Sequence, residues 1–239
     1  MATQLPLDLP HRPSFARDDL VVSAANRLAV EAVDAWPRWA HAVLIVVGPA
    51  GAGKTHLGHV WAERAGARIA TPDTVHEIAG ASPFAVVLDD IDRAGYREED
   101  LFALVNAARL GGGSVLATAS RPPAEFELAL KDLRSRLCAA SLVRIETPDD
   151  DLLAGVLTKL FADRQLDVEP GAVRYLTDRM ERSLEAAQRV VAAADREALA
   201  AKGRITRPLL RRVLDAQDGA SRHQTVATQD YAGDATEDL

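Results

Sequence analysis

The chain has 239 residues, 28 Lys and Arg against 35 Asp and Glu for a net charge of -7, 48% hydrophobic residues and one cysteine. Aromatic residues make up only 5%, so the core must be aliphatic. Cys138 alone cannot form an internal disulfide, no apolar run reaches membrane-span length, and the Pro-rich start with Asp8 lacks the apolar stretch of a signal peptide. A cytoplasmic protein is expected, and the acidic balance argues against a broad face for duplex DNA.

In chain order, residues 1–14, MATQLPLDLPHRPS, read as an extended arm outside the core. Helical spacing over 24–35 places Leu28, Ala32 and Ala35 on one face, and Pro37 ends it. The run 42–47 is apolar without alternation, as in a strand covered on both faces of a parallel sheet. A helix over 54–65, a weak strand over 67–70, a strong strand over 84–88, a helix over 98–109 and strands over 114–118 and 142–145 continue the pattern. This alternation predicts an α/β domain with a parallel sheet over 15–147. Beyond it the strands stop. Thr147 suits a cap and Pro148 a first helical position, and helices over 149–165, 170–180, 184–201 and from Arg207 predict an all-helical domain over 148–218. The acidic residues 219–239 read as a disordered tail.

The sharpest motif is Gly48-Pro49-Ala50-Gly51-Ala52-Gly53-Lys54-Thr55, a GxxxxGKT between a buried strand and a helix. Such a loop turns backbone N–H groups inward around a phosphate while the helix aims its positive end at it. Lys54 can reach the outer phosphates and the Thr55 hydroxyl can ligate Mg²⁺. Further on, the strand 84–88 ends in Asp89 and Asp90. The first can hold the Mg²⁺ shell and the second can orient an attacking water. Asp90 is one methylene shorter than the Glu common in fast P-loop ATPases, which predicts slow intrinsic hydrolysis.

These residues sit inside a wider pattern that resembles the AAA+ ATPases of the DnaA family. It rests on FARDDLVV over 15–22 with ANRLA over 25–29, VVLDDI over 86–91, TASRPP over 118–123 and LRSRL over 133–137, and it covers 15–217. The resemblance implies an AAA+ P-loop parallel-sheet domain followed by a small helical lid, with ADP or ATP and Mg²⁺ as ligands. Val21, Val22 and Asn26 would lie against the adenine base. Ser120 would stand near the γ-phosphate at the strand end called sensor 1, where DnaA relatives commonly have Asp. Arg136 would be an arginine finger toward nucleotide on a neighbouring subunit, with Arg134 the competing choice. In RSLE over 182–185, Arg182 is similar to the lid arginine called sensor 2, which touches the phosphates; Arg189 is its runner-up.

The arm segment Gln4-Leu5-Pro6-Leu7-Asp8-Leu9 resembles the hexapeptide by which bacterial proteins dock on the β sliding clamp of DNA polymerase III, with Leu9 in place of the usual aromatic. Spaced aliphatic anchors and an amide on an extended arm suit such a groove. DnaA follows its lid with a helix-turn-helix domain and inserts extra helices between the P-loop and Walker B, the segment that VVLDDI over 86–91 resembles; acidic residues and a short spacing stand here instead, so an initiator is not expected. The implied function is regulatory inactivation of DnaA. A clamp-tethered adaptor would stimulate hydrolysis of DnaA-bound ATP and prevent over-initiation, with DnaA and the clamp as partners, DNA reached only through the clamp, room for a homodimer, no membrane and a place at the nucleoid and replisome. Two alternatives stay open: an autonomous ATPase such as a helicase loader, and a recruiter that uses the core only as a dimerisation surface.

Overall fold

The computed structural model describes residues 16–217 except Lys202. The clamp-like segment Gln4, Leu5, Pro6, Leu7, Asp8 and Leu9 and the tail 219–239 lie outside the described residues. The elements run α1 (Arg27–Asp34), β1 (Val43–Val47), α2 (Lys54–Ala65), β2 (Arg68–Ala70), α3 (Val75–Ile78), β3 (Phe84–Leu88), α4 (Glu98–Ala107), β4 (Gly113–Ala119), α5 (Lys131–Cys138), β5 (Ser141–Arg144), α6 (Asp150–Asp163), α7 (Ala172–Thr177) and α8 (Leu184–Ala201). A last helix, α9, occupies 207–217. The five strands form one sheet in the order β2-β3-β4-β1-β5, and every pairing is parallel.

Strand β1 is buried at every position because both sheet faces are covered. Its side chains alternate. Val43, Ile45 and Val47 join Val86, Leu88, Val115 and Ala117 under α3, α4 and α5. Leu44 and Val46 join Val87 and Leu116 on the opposite face, under Val30 and Val33 of α1 and Leu57 and Trp61 of α2. The lid has its own core, in which Leu153, Leu157 and Phe161 of α6 meet Ala187, Val190, Val191 and Ala194 of α8 and Leu210 and Val213 of α9.

Two local readings are corrected. The buried face of α1 is Ala29, Val30 and Val33, whereas Leu28 is 66% exposed. Both stripes have helical spacing, and the one carrying two bulky β-branched residues fills the space above the sheet. Helix α6 is capped by Asp149, not Thr147: the Asp149 carboxylate accepts from Leu152 N–H at 2.7 Å, and Pro148 sits before the cap. A carboxylate at this place also faces the positive helix end, which favours it over a hydroxyl.

Candidate functional site

The P-loop leaves the centre of the sheet between β1 and α2. Gly51 and Gly53 have φ of +69° and +99°, which side chains with a Cβ adopt at a cost, and they curl the loop so that α2 starts at Lys54. Lys54 is buried, and its Nζ donates to the Pro49 carbonyl at 3.0 Å, which closes the turn. Gly48 N–H donates to Ala119 O at 3.2 Å, so the loop is tied to the end of β4.

Around this loop the structure gathers the acids that end β3. Thr55 Oγ1 donates to Asp89 at 2.9 Å, and Thr118 Oγ1 donates to Asp89 Oδ1 at 2.6 Å. The Thr118 oxygen also accepts from Asp90 N–H at 2.8 Å, where Asp90 takes the left-handed φ of +48°. Thr118 is fully buried among the apolar residues of 115–119 in β4. It joins the Asp89 carboxylate and the Asp90 main chain to the end of β4, and its signal in the sequence is a polar residue interrupting the apolar run 115–119. Ser120 follows on the same strand end and, with Gly48 and Pro49, lines a cleft of about 240 Å³.

The segment before α1 is fixed by its own side chains. Asn26 is buried, accepts from Ser23 N–H at 2.9 Å and donates to Val21 O at 2.9 Å. Asn26 therefore shapes the segment, while Val22 is 44% exposed. Ala25 N–H donates to Asp149 at 3.2 Å and Glu146 N–H to Ala25 O at 2.9 Å, so this segment bridges sheet and lid.

From the lid, Leu184 N–H donates to Gly51 O at 2.8 Å and Ser183 is buried against the P-loop. That brings neighbouring Arg182 to the loop's side of the lid, where it pairs with Asp150 at 2.6 Å. Arg189 instead pairs on the lid surface with Glu181 at 3.3 Å and Glu185 at 3.0 Å. Arg136 is not brought to this cluster: its guanidinium lies 5.0 Å from the centre of the Phe102 ring on α4. Arg134 donates to Ala124 O at 2.7 Å. Burial pushes the pKa of His56, next to Thr55, below 6.5, and the charges of His59 and Lys159 act in the same direction. Among the described residues no helix is long and apolar enough to cross a membrane.

Comparison with known proteins matches residues 150–214 to the family described as Hda, lid domain. The chromosomal replication initiator protein DnaA of Cutibacterium acnes is 27% identical over 200 residues, which span 72% of this chain and 40% of the initiator. The chain thus spans less than half the length of that relative. Among solved structures, domain III of DnaA from Thermotoga maritima superimposes with a TM-score of 0.73 at 16% identity, covering 87% of this chain and 98% of that one. AMPPCP-bound DnaA from Aquifex aeolicus gives 0.65 at 17% identity over 94% and 74% of the two chains. A RuvB variant from Thermotoga maritima gives 0.66 at 16% identity over 85% and 72%. The core fold is shared with DnaA and RuvB structures alike, so it is the match of 150–214 to the Hda lid, joined to the alignment with DnaA, that identifies an Hda/DnaA-like AAA+ protein.

Proposed function

We propose that the chain binds an adenine nucleotide in the P-loop and acts as a regulator of DnaA, tethered to the sliding clamp through residues 4–9 and stimulating hydrolysis of DnaA-bound ATP. The observation that carries the nucleotide reading is the P-loop after β1 with Thr55, at the start of α2, hydrogen-bonded to Asp89 at the end of β3, and with Ser183 of the lid, the neighbour of Arg182, packed against Gly51. Gly48, Pro49, Ala50, Gly51, Ala52 and Gly53 would present backbone N–H groups to the phosphates, and Lys54 would exchange the Pro49 carbonyl for a phosphate oxygen. Val21 and Val22 would flank the base.

The donor set suits Mg²⁺, because the Thr55 hydroxyl and the Asp89 carboxylate are adjacent hard oxygens. Among the described residues no group of three or more His, Cys, Asp or Glu side chains could hold a metal alone. The ion would arrive with the phosphates, whose charge it neutralises when bound. Asp90 would orient water, and its short side chain favours slow turnover, so the nucleotide, ADP or ATP, serves mainly as a conformational ligand.

Arg136 would act on the partner's nucleotide. Its partial exposure and its stacking on Phe102 hold a charged fork at the surface, and among the described residues no acidic side chain pairs with it. An arginine supplied in trans raises phosphoryl transfer by about 10³ to 10⁵. The test follows labelled ATP bound to DnaA, with this protein and clamp-loaded DNA added separately and together. Acceleration only with both, lost in Arg136→Ala and in Gln4→Ala with Leu7→Ala, is expected. Hydrolysis by this chain alone, with no effect on DnaA, would replace the regulator with an autonomous ATPase.

A further inference from the structure

Thr118 of β4 bonds to three consecutive residues beyond β3. Its hydroxyl donates to Asp89 Oδ1 at 2.6 Å and accepts from Asp90 N–H at 2.8 Å, and its carbonyl accepts from Ile91 N–H at 2.9 Å. The bond to Ile91 needs only main chain at position 118, whereas the other two need a hydroxyl. Their direction is fixed. A backbone N–H only donates and an ionised carboxylate only accepts, so the Thr118 oxygen receives the Asp90 hydrogen and gives its own single hydrogen to Asp89. With Oδ1 engaged in this way, Oδ2 is the Asp89 oxygen nearer to Thr55 Oγ1, at 2.9 Å against 3.2 Å. Thr118 is fully buried, so both bonds form out of reach of bulk water.

We propose that Thr118 is a positioning residue whose hydroxyl, oriented by the Asp90 main chain, holds the Asp89 carboxylate with one oxygen turned toward Thr55, and so sets how well the P-loop site takes a divalent cation with its nucleotide. The inference rests on the nucleotide and Mg²⁺ reading above and adds to it the group on which the aim of Asp89 depends. Thr118 is not among the oxygens of that reading and acts through Asp89. Asp90, with its left-handed φ of +48°, supplies the N–H that keeps the hydroxyl from turning away.

The test measures the equilibrium affinity of the full chain for ADP with Mg²⁺ and with EDTA, and reads the ratio of the two, which is the gain the ion supplies. The wild type is expected to show such a gain. Thr118→Val, which keeps the shape of threonine without its hydroxyl, should reduce it by about tenfold, the factor that one hydrogen bond to a charged group supplies, while the affinity in EDTA holds. Thr118→Ala, a second removal of the hydroxyl, should lose the gain likewise, and Thr118→Ser, which returns the hydroxyl, should restore it. Asp89→Asn should itself lower the gain, and adding Thr118→Val should lower it no further, because the hydroxyl acts through that carboxylate. Equal losses with Mg²⁺ and with EDTA in Thr118→Val would make the residue a support of the fold only, and losses that add in the double variant would mean that it acts apart from Asp89; either overturns the proposal. A wild type that binds ADP equally with and without Mg²⁺ would overturn the metal reading, one that binds no ADP would overturn the nucleotide reading, and this inference would fall with each.

Discussion

The backbone N–H of Leu184, at the first residue of α8, donates to the carbonyl of Gly51 at 2.8 Å, so the lid is hydrogen-bonded to the main chain of the P-loop. A helix N-terminus carries unsatisfied N–H groups, and here one of them is satisfied by the other domain. The position of the lid and the shape of the P-loop are therefore one structural variable.

Gly51 is a free position in the GxxxxGKT motif, yet here it is constrained twice. A Cβ at this site would collide with the Ser183 side chain, and the φ of +69° costs an L-residue about 1–2 kcal/mol. Gly51→Ala should lower the melting temperature and expose the connection between sheet domain and lid to limited proteolysis. Asn tolerates the left-handed backbone but not the collision, so Gly51→Asn should fail as well. A rescue by Asn would assign the glycine to loop geometry alone and remove the lid from the explanation.

Gly155 is a second close approach. It sits inside α6, where a glycine costs about 1 kcal/mol relative to alanine. A Cβ there would lie 2.7 Å from Val21 Cγ1, and valine has little rotamer freedom with which to yield. Gly155→Ala should leave overall stability nearly unchanged, because the gain in helix propensity offsets the contact. It should weaken ADP binding several-fold while sparing pyrophosphate, which has no base for Val21 to meet. Equal loss for both ligands would place the effect on the lid as a whole.

What could be read from the sequence was local. The apolar runs of β1 and β3 and the P-loop between β1 and α2 are visible because neighbouring residues suffice to define them. Helix α5 is not conspicuous, since only Leu133 and Leu137 are buried in a charged segment. The stripe on α1 was ambiguous because Leu28 and Val33 both satisfy helical spacing, and only the space over the sheet chooses between them. The bond of Thr118 to Asp89 is hidden for a different reason: it depends on β4 pairing with β3, with Ala117 opposite Leu88, and no short motif encodes that register. Gly155 with Val21 and Gly51 with Ser183 are likewise long-range contacts between domains.

Asp149 ties α6 to the segment before α1. Burial alone would raise its pKa, but the Leu152 N–H, the Ser23 hydroxyl, the Ala25 N–H and the charge of Arg182 outweigh that and hold it below 3.8. A folded form that binds its proton more weakly than the unfolded chain has its full stabilisation above about pH 4 and loses it as pH falls through the lowered value. Asp149→Ala should cost about 0.5–2 kcal/mol at pH 7, the usual range for a lost N-cap. Urea unfolding at pH 7 and pH 3 should show variant and wild type converging in acid. A constant gap would mean that the carboxylate's charge is not what stabilises the joint.

His56 gives the joint a second pH dependence, in a higher window. It follows Thr55 on α2, and its neighbours include Lys159 of α6, which itself pairs with Asp19 at 3.1 Å and Asp163 at 2.9 Å. Burial lowers its pKa first, His59 and Lys159 lower it further, and Asp19 opposes them. The folded state thus binds this proton more weakly than the unfolded one. The stabilisation is complete above about pH 6.5 and declines as pH falls, with a slope of at most about 1.4 kcal/mol per pH unit for one proton. The melting temperature should therefore fall between pH 7.5 and 5.5, and His56→Gln should flatten that decline. Lys159→Gln should flatten it in part, because a proton on His56 would then meet one positive charge fewer from the lid. An unchanged slope in His56→Gln would assign the decline to other groups and leave α2 and α6 electrostatically independent.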